Sequence, residues 1–170
     1  MVLNRENTCC FTGHRVNRLP WKNREEDPRC LNLKDHLDQT VEKAYELGFR
    51  HFICGMAQGC DFYFGESVVR LKDSHPGEIT LEAAIPFLGQ ADYWTKEDRD
   101  RRNQLLDRCD FETVVQHVYS QNCMFRRNRY MVDHSALIIA VYDGYPRGGT
   151  MNTLLYAMQK KIETLILQIY

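Results

Sequence analysis

The sequence predicts an α/β fold, a doubly wound Rossmann-like three-layer sandwich with a mainly parallel sheet of about six strands. Three observations carry this. Short apolar runs alternate with helix-period stretches along all 170 residues. The run 136–141 is almost continuously apolar, as a central parallel strand buried on both faces should be. Polar or glycine-rich segments directly follow several of the apolar runs, where such folds hold ligands.

Residues 8–12 form the first apolar run, and Gly13-His14-Arg15 ends it in a polar turn able to meet an anion. Residues 14–29 show no periodicity. A loop of that length in a compact domain is uncommon unless it covers something, so Leu19-Pro20-Trp21 is expected to form a lid and Trp21 to report on a ligand. A helix follows, with Leu33, Leu37, Val41 and Ala44 on one face and Gly48 as the left-handed residue that stops it. Residues 51–54 are the second strand. The loop Gly55-Met56-Ala57-Gln58-Gly59 then feeds a helix whose apolar stripe is Cys60, Phe64, Val68 and Leu71. Gly55 and Gly59 let the backbone take positive φ and a ligand approach its N–H groups, which with the helix dipole favour phosphate or carboxylate; a tight turn needing small residues is the competing explanation.

His75-Pro76-Gly77 breaks the chain, and 79–85 is a third strand closed by Pro86. Tyr93 and Trp94, in the irregular segment 89–94, either stack on a base or pack under the next helix. Thr95 has the capping arrangement for a helix to about Arg108, on which Glu97/Arg101 and Asp98/Arg102 have ion-pair spacing on a solvated face. Residues 112–116 make a fourth strand and 124–134 a helix. Arg126, Arg127 and Arg129 cluster at its start, where the dipole disfavours cations, so a negative group is expected to face them. After the strand 136–141 comes a second glycine-rich junction, Asp143 to Thr150, then a helix carrying Leu154, Leu155 and Met158, and a last strand at 164–169.

Length suits one domain over residues 1–170, and a net charge of −1 provides no global field for nucleic acid or anionic membrane. No apolar run approaches the ~18 residues that cross a bilayer, and no signal-peptide core precedes the first strand, so a cytoplasmic protein with no membrane association is expected. The seven cysteines lack a C-x-x-C pair and read as reduced thiols, Cys60 as a packed one; no metal site is expected. The sequence leaves a homo-oligomer open.

The site expected at the strand ends comprises Thr12, Gly13, His14, Arg15, Gly55, Met56, Ala57, Gln58, Gly59, Asp61, Arg127, Asp143, Gly148, Gly149 and Thr150. Two anion-suited loops with arginines between them point to a small phosphorylated ligand, a nucleotide or an ADP-ribose-like compound. The runs Thr12-Gly13-His14-Arg15, Gly55 to Asp61, Arg126 to Met131 and Tyr142 to Thr150 together resemble the YpsA-like family of the SLOG group of Rossmann-like domains. The resemblance covers nearly the whole chain. It implies kinship to LOG phosphoribohydrolases and to DprA, and hence three readings: a nucleotide-derivative binder or sensor, an N-glycosidic hydrolase, or a single-strand nucleic-acid binder. The LOG catalytic glutamate falls on Thr153 here, while its arginine is kept as Arg127. Asp61, Glu66 and Asp143 are the carboxylates that could substitute. Near-zero net charge counts against nucleic acid as the partner.

Overall fold

The computed structural model describes residues 3–169. In chain order the elements are β1 (Thr8–Gly13), α1 (Pro28–Glu46), β2 (His51–Cys54), α2 (Cys60–Ser74), β3 (Thr80–Ile85), α3 (Lys96–Leu106), β4 (Phe111–Val114), α4 (Cys123–Asp133), β5 (Leu137–Tyr142), α5 (Gly148–Gln159) and β6 (Glu163–Gln168). One-turn 3-10 helices at Arg5–Asn7 and Val16–Arg18 flank β1. The six strands form one sheet in the order β4-β3-β2-β1-β5-β6, every neighbouring pair parallel. The chain winds outward from β1 to β4, then returns to lay β5 on the other side of β1. The connections leaving β1 and β5 therefore diverge, and a crevice opens above their carboxyl ends.

Strand alternation divides the core. Cys9 and Phe11 of β1 pack with Leu37 and Val41 of α1 and Phe64 and Val68 of α2, Phe11 stacking on Phe64 with ring centroids 4.6 Å apart. Cys10 and Ile138 face the other layer with Met131 and Val132 of α4 and Ala157 of α5. α1 starts where the Asp27 side chain accepts from the Arg29 N–H ahead of Pro28, and the chain leaves it at Gly48 with φ +101°.

Three expectations change. Leu19 and Trp21 are not a lid: both are buried in the core, and Trp21 Nε1 donates to Tyr63 Oη at 3.4 Å. Without periodicity the segment still buries its apolar side chains, because short turns can point Leu19 and Trp21 inward as well as a helix can. Trp21 emission, isolated in a Trp94→Phe variant, is expected to stay blue-shifted and unchanged on ligand saturation; a shift would restore the lid. The ion pairs expected within α3 do not form either. Arg101 reaches Glu25 at 2.5 Å and Glu66 at 2.6 Å, and Asp98 accepts from Gln58 Nε2 at 2.6 Å. An exposed helical pair contributes only ~0.3–0.5 kcal/mol, so bidentate partners on other elements prevail. Thr95 does cap α3 by accepting from the Asp98 N–H. Lastly, β4 runs 111–114 rather than 112–116, and β6 begins one residue earlier than 164. Trp94 packs edge-on against Phe62, whereas Tyr93 is fully exposed.

Candidate functional site

A cavity of about 320 Å³ occupies the crevice at the ends of β1 and β5, a volume within the range of small-molecule sites. Phe11, Thr12 and Gly13 at the end of β1 form its floor; Ala57 and Asp61 come from the β2–α2 junction, Arg127 and Asn128 from α4, and Gly148 to Thr150 from the first turn of α5. His14, Arg15, Asn17 and Arg18 complete the rim.

Arg127 enters from α4 and is buried, at 4% exposure. Its Nη1 donates to the Gly55 carbonyl and its Nε to Asn128 Oδ1 at 2.8 Å, while Nη2 meets only the Met124 sulfur at 4.0 Å. A Cβ on Gly55 would lie 2.5 Å from Arg127 Nη1 and 2.8 Å from Asp61 Oδ2, so the two opposite charges share the space that a side chain at this position would fill. Asp61 Oδ2 also accepts from the Ala57 N–H at 3.0 Å. Burial pushes the Asp61 carboxyl up and the Arg127 guanidinium down, against the attraction between them. The negative group expected near the arginines is, for Arg127, Asp61. Arg129 lies over the Tyr156 ring at 5.1 Å, and Arg126 is exposed.

His14 joins β1 to the α5 turn. Its Nε2 lies 3.1 Å from the Asp143 N–H and 3.2 Å from Asp143 Oδ1, and its Nδ1 lies 3.4 Å from Thr150 Oγ1. Arg18 pairs with Asp143 Oδ2 at 2.9 Å and donates to the Arg147 carbonyl at 3.3 Å. Burial lowers the His14 pKa below its ordinary 6.5, Asp143 opposing and Arg18 assisting. The neutral ring thus accepts at Nε2 from the Asp143 N–H and donates from Nδ1 to Thr150. Because the unfolded chain takes up this proton at higher pH than the native chain does, His14 costs stability as pH falls below about 6.5. Melting temperature is expected to drop between pH 7.5 and 5.5, and the slope to flatten in His14→Gln; an unchanged slope would contradict the assignment.

The sequence-expected residues divide. Thr12, Gly13, His14, Arg15, Ala57, Asp61, Arg127, Gly148, Gly149 and Thr150 line the cavity; Gly55, Met56, Gln58, Gly59 and Asp143 stand behind it. Met56 is fully buried at φ +57°, and the Gln58 side chain turns to Asp98. Gly59, at φ +90°, packs against the His14–Val16 backbone. Asp143 contacts two cavity residues, His14 and Arg18. Of the proposed substitute carboxylates, Glu66 is held by Arg101 outside the cavity. Thr153 donates to the Gly149 carbonyl at 2.8 Å and lines a separate groove between α4 and α5. Asn17, Arg18, Met124, Asn128 and Met131 also line the cavity. Arg18 carried no sequence signal, since nothing in an aperiodic segment marks which side chain turns inward; Met124 and Met131 had one, lying three residues before and four residues beyond Arg127 on the same helix face, whereas Asn128, one residue on, had none.

The α5 N-terminus is left open by its own side chains. Arg147 in the N-cap position provides no side-chain bond to the first turn, and a Cβ on Gly149 would meet nothing within 4 Å, so approach to the backbone is open. Three arginines, Arg15, Arg18 and Arg127, line the cavity against one carboxylate, Asp61. Among the described residues no cluster of His, Cys, Asp and Glu could hold a metal ion, and no helix is long and apolar enough to cross a membrane.

Comparison with known proteins agrees with this architecture. The family model YpsA, the YspA SLOG family, matches residues 9–169. The SPbeta prophage-derived protein YoqJ of Bacillus subtilis is 33% identical over 144 residues, covering 77% of this chain and 83% of YoqJ. The UPF0398 protein BH1768 of Halalkalibacterium halodurans is 27% identical over 113 residues, 65% of this chain and 59% of that one. Among solved structures, DNA processing protein A from Helicobacter pylori, described for its single-stranded DNA binding mode, superposes with a TM-score of 0.61 at 14% identity, over 96% of this chain and 66% of its own. This likeness shows a shared fold, and the chain spans somewhat less than two thirds of both BH1768 and the Helicobacter protein. The chain belongs to the YpsA SLOG family.

Proposed function

We propose that this SLOG-family chain binds a small phosphorylated ligand, a nucleotide or nucleotide derivative, in the crevice between β1 and β5. The observation that carries the reading is the convergence of an uncapped α5 N-terminus, an open Gly149 and three arginines on one cavity at the topological switch point. A phosphate seated at Gly148 to Thr150 accepts from first-turn N–H groups and gains from the helix dipole. Arg15 on the rim approaches the same anion as a point of charge, and Arg127 deeper in provides a planar fork with a free edge.

A thermal-shift screen across nucleotides and ribosyl phosphates tests it, a binder at 100 times its Kd stabilising by ~2.7 kcal/mol. Gly149→Val is expected to keep the unliganded melting temperature near that of wild type, since its side chain enters open space, and to abolish the ligand shift. Retained shifts in this variant would place the ligand elsewhere.

Two alternatives have specific supports. The likeness to the Helicobacter protein favours single-stranded nucleic acid, for which affinity should fall steeply with salt as counterions are released, whereas a nucleotide pocket responds far less. Kinship to LOG favours hydrolysis, but Thr153 carries no charge, is tied to the Gly149 carbonyl and does not reach the cavity. Nucleoside monophosphates are therefore expected to be bound without release of free base; release at ~1 s⁻¹ or faster would establish an enzyme.

A further inference from the structure

The cavity has two chemically different ends. Toward α5 it offers backbone N–H groups and cations; at its deep end it offers Asp61, an acceptor that an anionic ligand would avoid. Only Oδ2 of that carboxylate has a partner, the Ala57 N–H at 3.0 Å. Among the described residues the side-chain polar atoms fully enclosed without a partner are Ser67 Oγ, Arg102 Nε and Gln116 Oε1. Asp61 Oδ1 is not one of them and has no donor, so on a side chain 7% exposed it reaches the open side of the cavity. Arg127, which lines the same cavity and shares the space over Gly55 with Asp61, has only a thioether at 4.0 Å on its Nη2. A buried acceptor and a buried donor thus open onto one cavity with unused capacity, an arrangement that costs stability unless a ligand completes it.

We infer that Asp61 Oδ1 and Arg127 Nη2 form a sugar-hydroxyl subsite, so that the ligand is a ribosyl compound whose vicinal diol docks here while its phosphate lies toward α5. A hydroxyl suits both atoms because it donates to the carboxylate while accepting from the guanidinium; a phosphate oxygen, lacking a proton, satisfies only the arginine. Burial of Asp61 adds discrimination, since a charged acceptor left unmatched in a desolvated site penalises analogues lacking the hydroxyl. The inference rests on the proposed nucleotide reading and adds to it which part of the ligand is read where.

The test pairs each common nucleoside monophosphate with its 2′,3′-dideoxy counterpart, with inorganic pyrophosphate as an anion probe, by calorimetry on wild type and Asp61→Asn. In wild type the ribo form that binds is expected to exceed its dideoxy counterpart by ~10- to 100-fold in affinity, the worth of a hydrogen bond to a charged group. In Asp61→Asn, with folding checked by circular dichroism, the ratio should collapse toward unity while pyrophosphate still binds. Equal affinities in wild type would overturn the subsite and leave the phosphate reading standing, as would pyrophosphate binding with no nucleotide. A ribo preference that survives Asp61→Asn would remove Asp61 from the role. If neither nucleotides nor pyrophosphate bind, the inference and the proposed function fall together.

Discussion

Gly59→Val is expected to destabilise the protein by about 3 kcal/mol or more, a loss read as a shift of the urea midpoint at unchanged slope. Gly59 sits at φ +90° immediately before α2, and a Cβ there would lie 2.8 Å from the His14 carbonyl oxygen and 2.9 Å from the Val16 nitrogen. Both are backbone atoms, so no rotamer relieves the clash. The positive φ alone costs a β-branched residue ~1–2 kcal/mol, and overpacking adds ~1–3 kcal/mol. The damage also reaches the N–H of Cys60, which donates to the same His14 carbonyl at 3.1 Å and ties the start of α2 to the end of β1. Gly149→Val is the control, because a Cβ at Gly149 meets nothing within 4 Å. If Gly59→Val proved as stable as Gly149→Val, the packing role of Gly59 would be wrong.

The contrast between these two glycines marks what the sequence could and could not disclose. Strand and helix order was legible because periodicity is local: the stripe Cys60, Phe64, Val68 and Leu71 is buried as read, and the run read at 136–141 is β5, one residue further on at Leu137–Tyr142. Which residues meet at the carboxyl edge was legible from topology, since ligand loops follow parallel strands. What each loop residue does there was not. Gly55 and Gly149 look alike in sequence, yet one makes room for Arg127 and the other faces open space. Trp21 and Arg18 lie three residues apart in one aperiodic segment, and only packing sends the first into the core and the second to the cavity rim. The α3 charges failed for a related reason: spacing identifies the partners available within one helix but not Glu25 and Glu66 on other elements.

Arg127→Ala is expected to cost about 3 kcal/mol at pH 7.5, before any ligand is considered. Removing one partner of a buried charge pair typically costs ~3–5 kcal/mol because the other charge is left behind uncompensated. Here that charge is Asp61, and the Gly55 carbonyl loses a donor in addition. The lower end of the range applies, because burial already raises the Asp61 pKa above its ordinary value and so disfavours its charged form even in wild type. Loss of the arginine raises it further. A carboxyl whose folded pKa lies above its unfolded one destabilises the native state at high pH, and the penalty fades as pH falls through that folded value. The stability deficit of Arg127→Ala should therefore shrink as pH is lowered from 7.5. The double variant Asp61→Asn/Arg127→Ala should recover part of the loss at pH 7.5, giving a coupling energy that a mere cavity would not produce. A deficit below ~1 kcal/mol, independent of pH and additive with Asp61→Asn, would mean that the fold does not depend on this pair. Arg127 would then be a buried guanidinium retained for the ligand alone, and its substitution should abolish the nucleotide-induced thermal shift without lowering the unliganded melting temperature.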